Sequence, residues 1–180
     1  MVVYIALAAA AALVGIDQLL KWVAVTYIQP QGSIPLLKIA DKEWLNLTYQ
    51  ENTGAAFSIL EGQQLFLIIL TSLIIIALIV VMVMKKVKRK PYIWAFALMI
   101  AGGLGNLIDR IFLGYVIDFV DVRIINFAVF NFADICAVCG GILLFVFVIY
   151  DEIKDWRKKK KTKAVASEAT DNGQTGAENG

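Results

Sequence analysis

Two stretches, GYVIDFVD at residues 114–121 and FNFADI at residues 130–135, place three carboxylates between two strongly apolar runs. The whole chain is 59% hydrophobic and 18% charged over 180 residues. Soluble domains are nearer half apolar and a quarter charged, so this composition indicates an integral membrane protein. Because an ionisable group beside a membrane span is costly, these acids are candidates for a functional site.

Four apolar runs are long enough to cross a bilayer as helices. The first lacks the basic leading region of a cleaved signal peptide, so we expect it to be retained. The basic runs at 85–90 and 157–161 are typical of cytoplasmic loops and ends. The sequence therefore predicts an all-α membrane domain over residues 1–161 with both termini in the cytoplasm. The expected spans are about 2–23, 65–84, 92–111 and 134–152.

The segment between the first two spans is polar and carries a strand signal. Residues 44–50 alternate apolar and polar side chains, which is the periodicity of a β-strand. We therefore expect a small extracytoplasmic β-sheet between helices 1 and 2. Residues 162–180 contain one large apolar residue, Val165, and this composition predicts a disordered cytoplasmic tail.

The predicted topology brings the unusual polar residues to the outer membrane face. Asp17 and Lys21 are four residues apart near the outer end of span one, so they share a helix face and can pair. Small residues beside Asn52, including Gly54, allow the backbone to approach a ligand closely. The other polar residues at this face are Asn106, Asp109, Arg110, Asp118 and Asp134.

Asp118 and Asp134 are the candidates for chemistry, since the chain has no histidine. Two carboxylates in a poorly hydrated place cannot comfortably both ionise, so one keeps a proton. Such a pair can deprotonate water with one member and protonate a leaving amine with the other. Alternatively, both acids are helix caps at the ends of spans, and Asp134 suits an N-cap position. The residues alone leave both interpretations open.

Other classes of site and function have less support. Cys136 and Cys139 form a Cys-x-x-Cys in the fourth apolar run, and with no second ligand pair we interpret them as packing residues. We expect no metal, no cofactor and no nucleic-acid partner. Intramembrane acids also mark small transporters, and a Gly-rich span can serve a helix-binding scaffold. The clustering of the polar residues at one membrane face argues against a transport pathway across the membrane.

Five motif blocks, in order, resemble the bacterial lipoprotein signal peptidase family, also called signal peptidase II. The resemblance covers roughly residues 1–155. The blocks are DQ at 17–18 with Lys21, NTGAAF at 52–57, GLGNLIDR at 103–110, VIDF at 116–119 and FNFAD at 130–134.

The resemblance implies a membrane aspartyl endopeptidase that cuts diacylglyceryl-modified prolipoproteins before the lipidated cysteine. It implies that Asp118 and Asp134 are the catalytic pair, in the bacterial cytoplasmic membrane and at its outer face. It also implies contact with membrane lipid and inhibition by the macrocycle globomycin. The implied substrate-binding residues are Asn52, Gly54, Asn106, Arg110 and Asn131, and the implied supporting residues are Asp17, Lys21 and Asp109.

Overall fold

The computed structural model describes residues 1–54, 60–87, 89–125 and 127–175, with side chains as far as residue 160. The chain divides into two units, residues 1–143 and residues 144–180. The first unit holds three helices, the sheet and the start of a fourth helix, and the second carries the later part of that helix. In the described residues the fold is thus mostly helical with a small antiparallel sheet, which confirms the predicted class.

Four helices are long and apolar enough to cross a membrane. The first is α1, which continues through a π-helical turn and a 3-10 turn to Gln31. The first three helices begin and end within two residues of the predicted spans. The helices are α1 (Val2–Val23), α2 (Gln64–Val83), α3 (Lys90–Phe112) and α4 (Phe132–Thr175).

The end of α4 differs from the expectation of a disordered tail. The helix continues to Thr175, whereas composition predicts disorder from residue 162. The prediction of disorder rests on the lack of large apolar residues in this segment. Lysine, alanine and glutamate in this segment have high helix propensity, and they extend an existing helix without a new nucleation step. Residues 176–180 lie outside the described part of the chain.

The sheet has three strands in the order β1–β2–β3, all antiparallel. They are β1 (Ser33–Ile39), β2 (Lys42–Asn52) and β3 (Val116–Asp121). The sequence predicts a sheet formed only between helices 1 and 2, but the third strand follows α3. A strand edge left unpaired exposes backbone N–H and C=O groups, and β3 satisfies those of β2. Asp118 therefore projects from a strand instead of a loop.

Helix α3 packs against the other helices in this unit through small residues. A Cβ atom at Gly102 would fall on the carbonyl oxygen of Ala133 and within 2.6 Å of the backbone nitrogen of Ala137. A Cβ at Gly140 would lie 2.8 Å from the carbonyl oxygen of Ala95. The glycines thus let the backbones of α3 and α4 touch, as in other membrane helix pairs. This contact brings the first turn of α4 to the end of α3.

Candidate active site

A cavity of about 540 Å³ is lined by residues from β2, α3, β3, the segment after β3 and the start of α4. Both candidate acids lie on its wall, among amide groups and one guanidinium. The remaining wall is largely apolar, so the cavity suits a ligand with an apolar body and a few polar groups. Its polar lining residues are Asn52, Asn106, Arg110, Asp118 and Asp134, and the others are Val116, Phe127, Ala128, Val129, Phe130, Ile135, Ala137, Val138 and Cys139.

Asp118 is the more deeply buried of the two acids, with 1% of its surface exposed. Its Oδ2 accepts a hydrogen bond from Asn52 Nδ2 at 2.9 Å, and its Oδ1 accepts one from Asn131 Nδ2 at 2.7 Å. Burial and, less strongly, the nearby Asp134 raise the pKa of Asp118 against the lowering effect of the two amides and Lys21, and the resulting pKa is about 7. Asp118 therefore keeps a proton at pH values where an ordinary carboxyl group is ionised.

Asp134 is the third residue of α4, and hydrogen bonds at the start of this helix fix its side chain. Its Oδ2 accepts a hydrogen bond from the backbone N–H of Asn131, and its own N–H donates to Asn131 Oδ1, both at 3.0 Å. This reciprocal pair is a capping box in which Asn131 is the cap. The structure thus corrects the alternative that Asp134 itself is the N-cap. Since Asp134 also lines the cavity, a role in capping does not exclude a role in chemistry.

Two asparagines connect the acids through hydrogen bonds. Asn106 Nδ2 donates to Asp134 Oδ1 at 2.8 Å, and Asn106 Oδ1 accepts from Asn131 Nδ2 at 3.0 Å. Asn131 in turn donates to Asp118. The acids on β3 and α4 are therefore held by neutral amides, which stabilise a carboxylate without adding a full positive charge.

Arg110, in the last turn of α3, joins the cavity to the loop after β2. Its Nη2 donates to the carbonyl oxygen of Gly54 at 2.9 Å, and Gly54 N donates to Asn52 Oδ1 at 2.9 Å. Arg110 Nε is buried and has no hydrogen-bond partner among the described residues. Arg110 as a residue lines the cavity, so its guanidinium can meet a ligand there. Residues 55–57 of the NTGAAF motif lie outside the described residues.

Asp17, Lys21 and Asp109 form a buried ionic cluster beside the cavity. Lys21 Nζ lies 2.9 Å from Asp17 Oδ2 and 2.8 Å from Asp109 Oδ2. Each of the three side chains is no more than 2% exposed. None of them is on the cavity wall as described, so the structure places them behind the site.

Sequence patterns do not indicate all of the residues that surround the site. In the sequence, Gln18 stands out only as part of a motif. In the structure, its Nε2 donates to Asp109 Oδ1 at 3.0 Å and to the carbonyl oxygen of Gly105 at 3.1 Å. Its position next to Asp17 was the available signal. The apolar wall at 127–130 was also missed, because its residues show no periodic pattern. Phe130 pairs its backbone with Val120, which holds this segment beside β3.

The two cysteines on α4 differ in their exposure. Cys136 is buried, Cys139 is exposed, and both are free thiols. Cys139 lies on the cavity wall, whereas Cys136 does not. Across residues 1–54, 60–87, 89–125 and 127–160, no group of three or more histidine, cysteine, aspartate or glutamate side chains is placed to hold a metal ion.

Similarity to known proteins extends over most of the chain. The family described as signal peptidase (SPase) II matches residues 9–150. The chain is 41% identical over 135 residues to the lipoprotein signal peptidase of Caldanaerobacter subterraneus, covering 75% of this chain and 89% of that protein. It is 42% identical over 151 residues to the lipoprotein signal peptidase of Halalkalibacterium halodurans, covering 82% and 91%.

Two solved structures described as bacterial membrane enzymes are also similar, each at 33% sequence identity. One superposes with a TM-score of 0.71 and covers 82% of this chain and 88% of that one. The other has a TM-score of 0.67 and covers 81% and 93%. Sequence and fold thus agree over most of the chain, which belongs to the signal peptidase II family of lipoprotein signal peptidases.

Proposed function

We propose that this protein is an aspartyl endopeptidase that removes the signal peptide from diacylglyceryl-modified prolipoproteins, cutting before the lipidated cysteine. Membership of the family supports a peptidase that acts on prolipoproteins. One observation supports the aspartyl mechanism above all others. Asp118 and Asp134 come from different elements, line one cavity and are both hydrogen-bonded to Asn131.

The proposed reaction is hydrolysis of one peptide bond by a pair of acids that shares a proton. Asp118 holds the proton near neutral pH, because burial raises its pKa to about 7. Asp134, as the carboxylate, takes a proton from water while the water oxygen attacks the scissile carbonyl carbon. The Asp118 proton passes to the carbonyl oxygen, which gives a neutral tetrahedral diol. Proton transfer to the amine nitrogen then breaks the C–N bond and regenerates the pair.

The substrate-binding assignments follow the polar part of the cavity. We assign Arg110 to the substrate backbone, because its guanidinium lies on the cavity wall and can donate to a carbonyl oxygen. Asn52, Asn106 and Asn131 hold the acids, and Gly54 fixes Arg110. Asn52 and Asn106 also line the cavity and border the path of the peptide, whereas Asn131 is buried behind its wall. The apolar wall formed by the segment 127–130 and the start of α4 receives apolar parts of the lipidated substrate or of globomycin.

The proposed location is the outer face of the bacterial cytoplasmic membrane, with both termini in the cytoplasm. The basic runs at 85–90 and 157–161 support this orientation under the positive-inside rule. A transporter is a weaker candidate. The buried residues of α2 are Leu67, Ile75 and Met82, which are all apolar and offer no polar path along this helix.

The test is cleavage of a lipidated prolipoprotein by the purified full-length protein, followed as a gel shift, with and without globomycin. We expect release of the signal peptide, inhibition by globomycin, and no cleavage of the same prolipoprotein lacking the diacylglyceryl group. The matched controls are Asp134→Asn and Asp121→Asn. Normal cleavage by Asp134→Asn, or no cleavage by folded wild-type protein, would contradict the proposal.

A further inference from the structure

Two buried carboxylates outside the cavity each hold the backbone just before one of the proposed catalytic acids. Asp17 Oδ1 accepts a hydrogen bond from the backbone N–H of Ala133 at 2.8 Å, and Ala133 precedes the acid on α4. Asp109 Oδ2 accepts one from the backbone N–H of Ile117 at 3.1 Å, and Ile117 precedes the acid on β3. These two contacts fix the backbone at the points from which the two acids project.

Lys21 joins these two carboxylates. Its Nζ lies 2.9 Å from Asp17 Oδ2, 2.8 Å from Asp109 Oδ2 and 3.0 Å from Asn106 Oδ1. An ammonium group has three protons, and a fourth acceptor, the carbonyl oxygen of Gly105, lies farther away at 3.4 Å, so all of the Lys21 donors are used. The bond to Asn106 leaves the Nδ2 of that residue to donate to Asp134. Lys21 is therefore linked to the backbone before each acid, and to the amide that holds one of them.

The cluster has little room to adjust. Gln18 Nε2 donates to Asp109 Oδ1 at 3.0 Å and lies 3.3 Å from Asp17 Oδ2. A Cβ atom at Gly105 would lie 2.6 Å from Asp17 Oδ2 and 2.9 Å from the Cβ of Ala133. Close packing of this kind transmits the position of one group to the next.

We propose that Lys21 is a positioning residue for the hydrolysis, which sets the separation of the catalytic carboxylates by bridging Asp17 and Asp109. The inference rests on the proposed function of Asp118 and Asp134. Lys21 is off the cavity wall, so it acts through its partners and not on the substrate. Misplacing a reacting group by about 1 Å can cost on the order of 10²-fold in rate, so loss of the bridge should lower kcat.

The bridge also carries a charge that acts on the pair. The charged groups facing Asp118 are Lys21 from α1, Arg110 from α3 and Asp134 from α4. Burial is the main cause that raises the pKa of Asp118, Asp134 raises it further, and Lys21 lowers it. Because the Lys21 charge lowers the pKa of Asp118, removing this charge should raise that pKa. The alkaline limb of the activity profile, where Asp118 loses its proton, should then move to higher pH.

The first test is Lys21→Met in the full-length protein, because methionine keeps much of the side-chain volume and removes the charge. We expect kcat to fall about 10²-fold. KM should stay within about threefold, since substrate contacts are unchanged. The alkaline limb should move to higher pH. Thermal unfolding confirms that the variant is folded. A folded Lys21→Met protein with nearly normal kcat, or with an unmoved alkaline limb, would overturn the proposal.

Lys21→Met leaves two buried carboxylates without their cation, which can prevent folding. Asp109→Asn and Asp109→Ala therefore form the second test. Asparagine keeps an oxygen that can accept from the N–H of Ile117, whereas alanine has no acceptor. We expect Asp109→Asn to lose no more than about tenfold in kcat and Asp109→Ala about 10²-fold. Equal losses, or no loss in either, would overturn the proposal.

These outcomes can be separated from failure of the proposed function. Asp121→Asn is the control, because Asp121 lies on the same strand and contacts Thr48 and Arg123 away from the cavity. If Asp118→Asn and Asp134→Asn are inactive while both tests fail, the aspartyl mechanism stands and the role of Lys21 does not. If those two variants are active, the proposed function itself is wrong.

Discussion

Asn131 and Asp134 hold each other by reciprocal hydrogen bonds of 3.0 Å at the first turn of α4. The same Asn131 side chain donates to Asp118 at 2.7 Å. One residue thus caps the helix that carries one acid and contacts the other acid across the cavity. The orientation of Asp134 is set by the start of its own helix, and Asn131 couples that helix start to β3.

Replacing Asn131 can separate these two roles. In Asn131→Ser, the hydroxyl group can still cap α4, but the bond to Asp118 is lost. We expect a loss of at least about tenfold in kcat, the low end for a group that supports acid–base chemistry, and some loss of thermal stability, because the bonds to Asn106 and the Ile117 carbonyl are lost as well. Asn131→Ala should also lose about 1 kcal/mol of stability with the cap. Unchanged kcat in Asn131→Ser would show that its contact with Asp118 is not needed.

The two acids should each be necessary. Asparagine has nearly the shape of aspartate but cannot exchange a proton, so Asp118→Asn and Asp134→Asn should both fall by about 10²- to 10⁴-fold or more in rate. The double variant should be little worse than either single variant, because the pair acts as a unit. Asp121→Asn should keep substantial activity. The measurement is the cleavage rate of each folded variant at the same protein concentration. If Asp134→Asn is active, the second catalytic acid is another residue, and Asp109 is the first candidate.

Activity should fall on the alkaline side with an apparent pKa near 7. Burial raises the pKa of Asp118 to about 7, so above this pH the pair loses the proton that it shares. The value belongs to the pair as a whole. We expect kcat to fall about tenfold per pH unit once the proton is lost. The measurement is kcat from pH 5 to pH 9 at constant ionic strength, and a flat profile to pH 9 would disagree with a shared proton.

Arg110→Lys should lose most of its activity while the protein still folds. The Arg110 guanidinium holds the carbonyl oxygen of Gly54 through Nη2 and also lines the cavity, where it can contact the substrate. Lysine keeps the charge but lacks the planar fork that makes both contacts at once. The measurement is kcat/KM beside a thermal unfolding curve for each protein. If Arg110→Lys turns over substrate at a nearly normal rate, a positive charge alone suffices there.

The proposed orientation in the membrane is also testable by labelling. We would replace Cys136 and Cys139 with alanine and introduce one cysteine, either Lys42→Cys in β2 or Lys86→Cys in the loop after α2. Both lysines are exposed. An impermeant thiol reagent should label Lys42→Cys in intact cells and Lys86→Cys only after the cells are opened. The reverse pattern would place the cavity on the cytoplasmic side.

The sequence by itself determined which parts of the chain form the membrane helices. Apolar runs of sufficient length predict spans wherever they occur, since a bilayer requires each backbone group to be satisfied within its own segment. The order of the polar motif blocks also pointed to the family. The absence of histidine favoured chemistry by carboxylates, and the residues alone left open whether Asp118 and Asp134 are catalytic or are helix caps.

Only the tertiary structure decided how those acids are held. The contact between Asp17 and Ala133 joins residues 116 positions apart, and that between Lys21 and Asp109 joins α1 to α3. Local periodicity reports which face of a segment is apolar, but not which distant backbone group that face will meet. The third strand and the cavity wall arise from packing between elements. The glycines of α3 let the start of α4 approach, which brings Asp134 beside that wall.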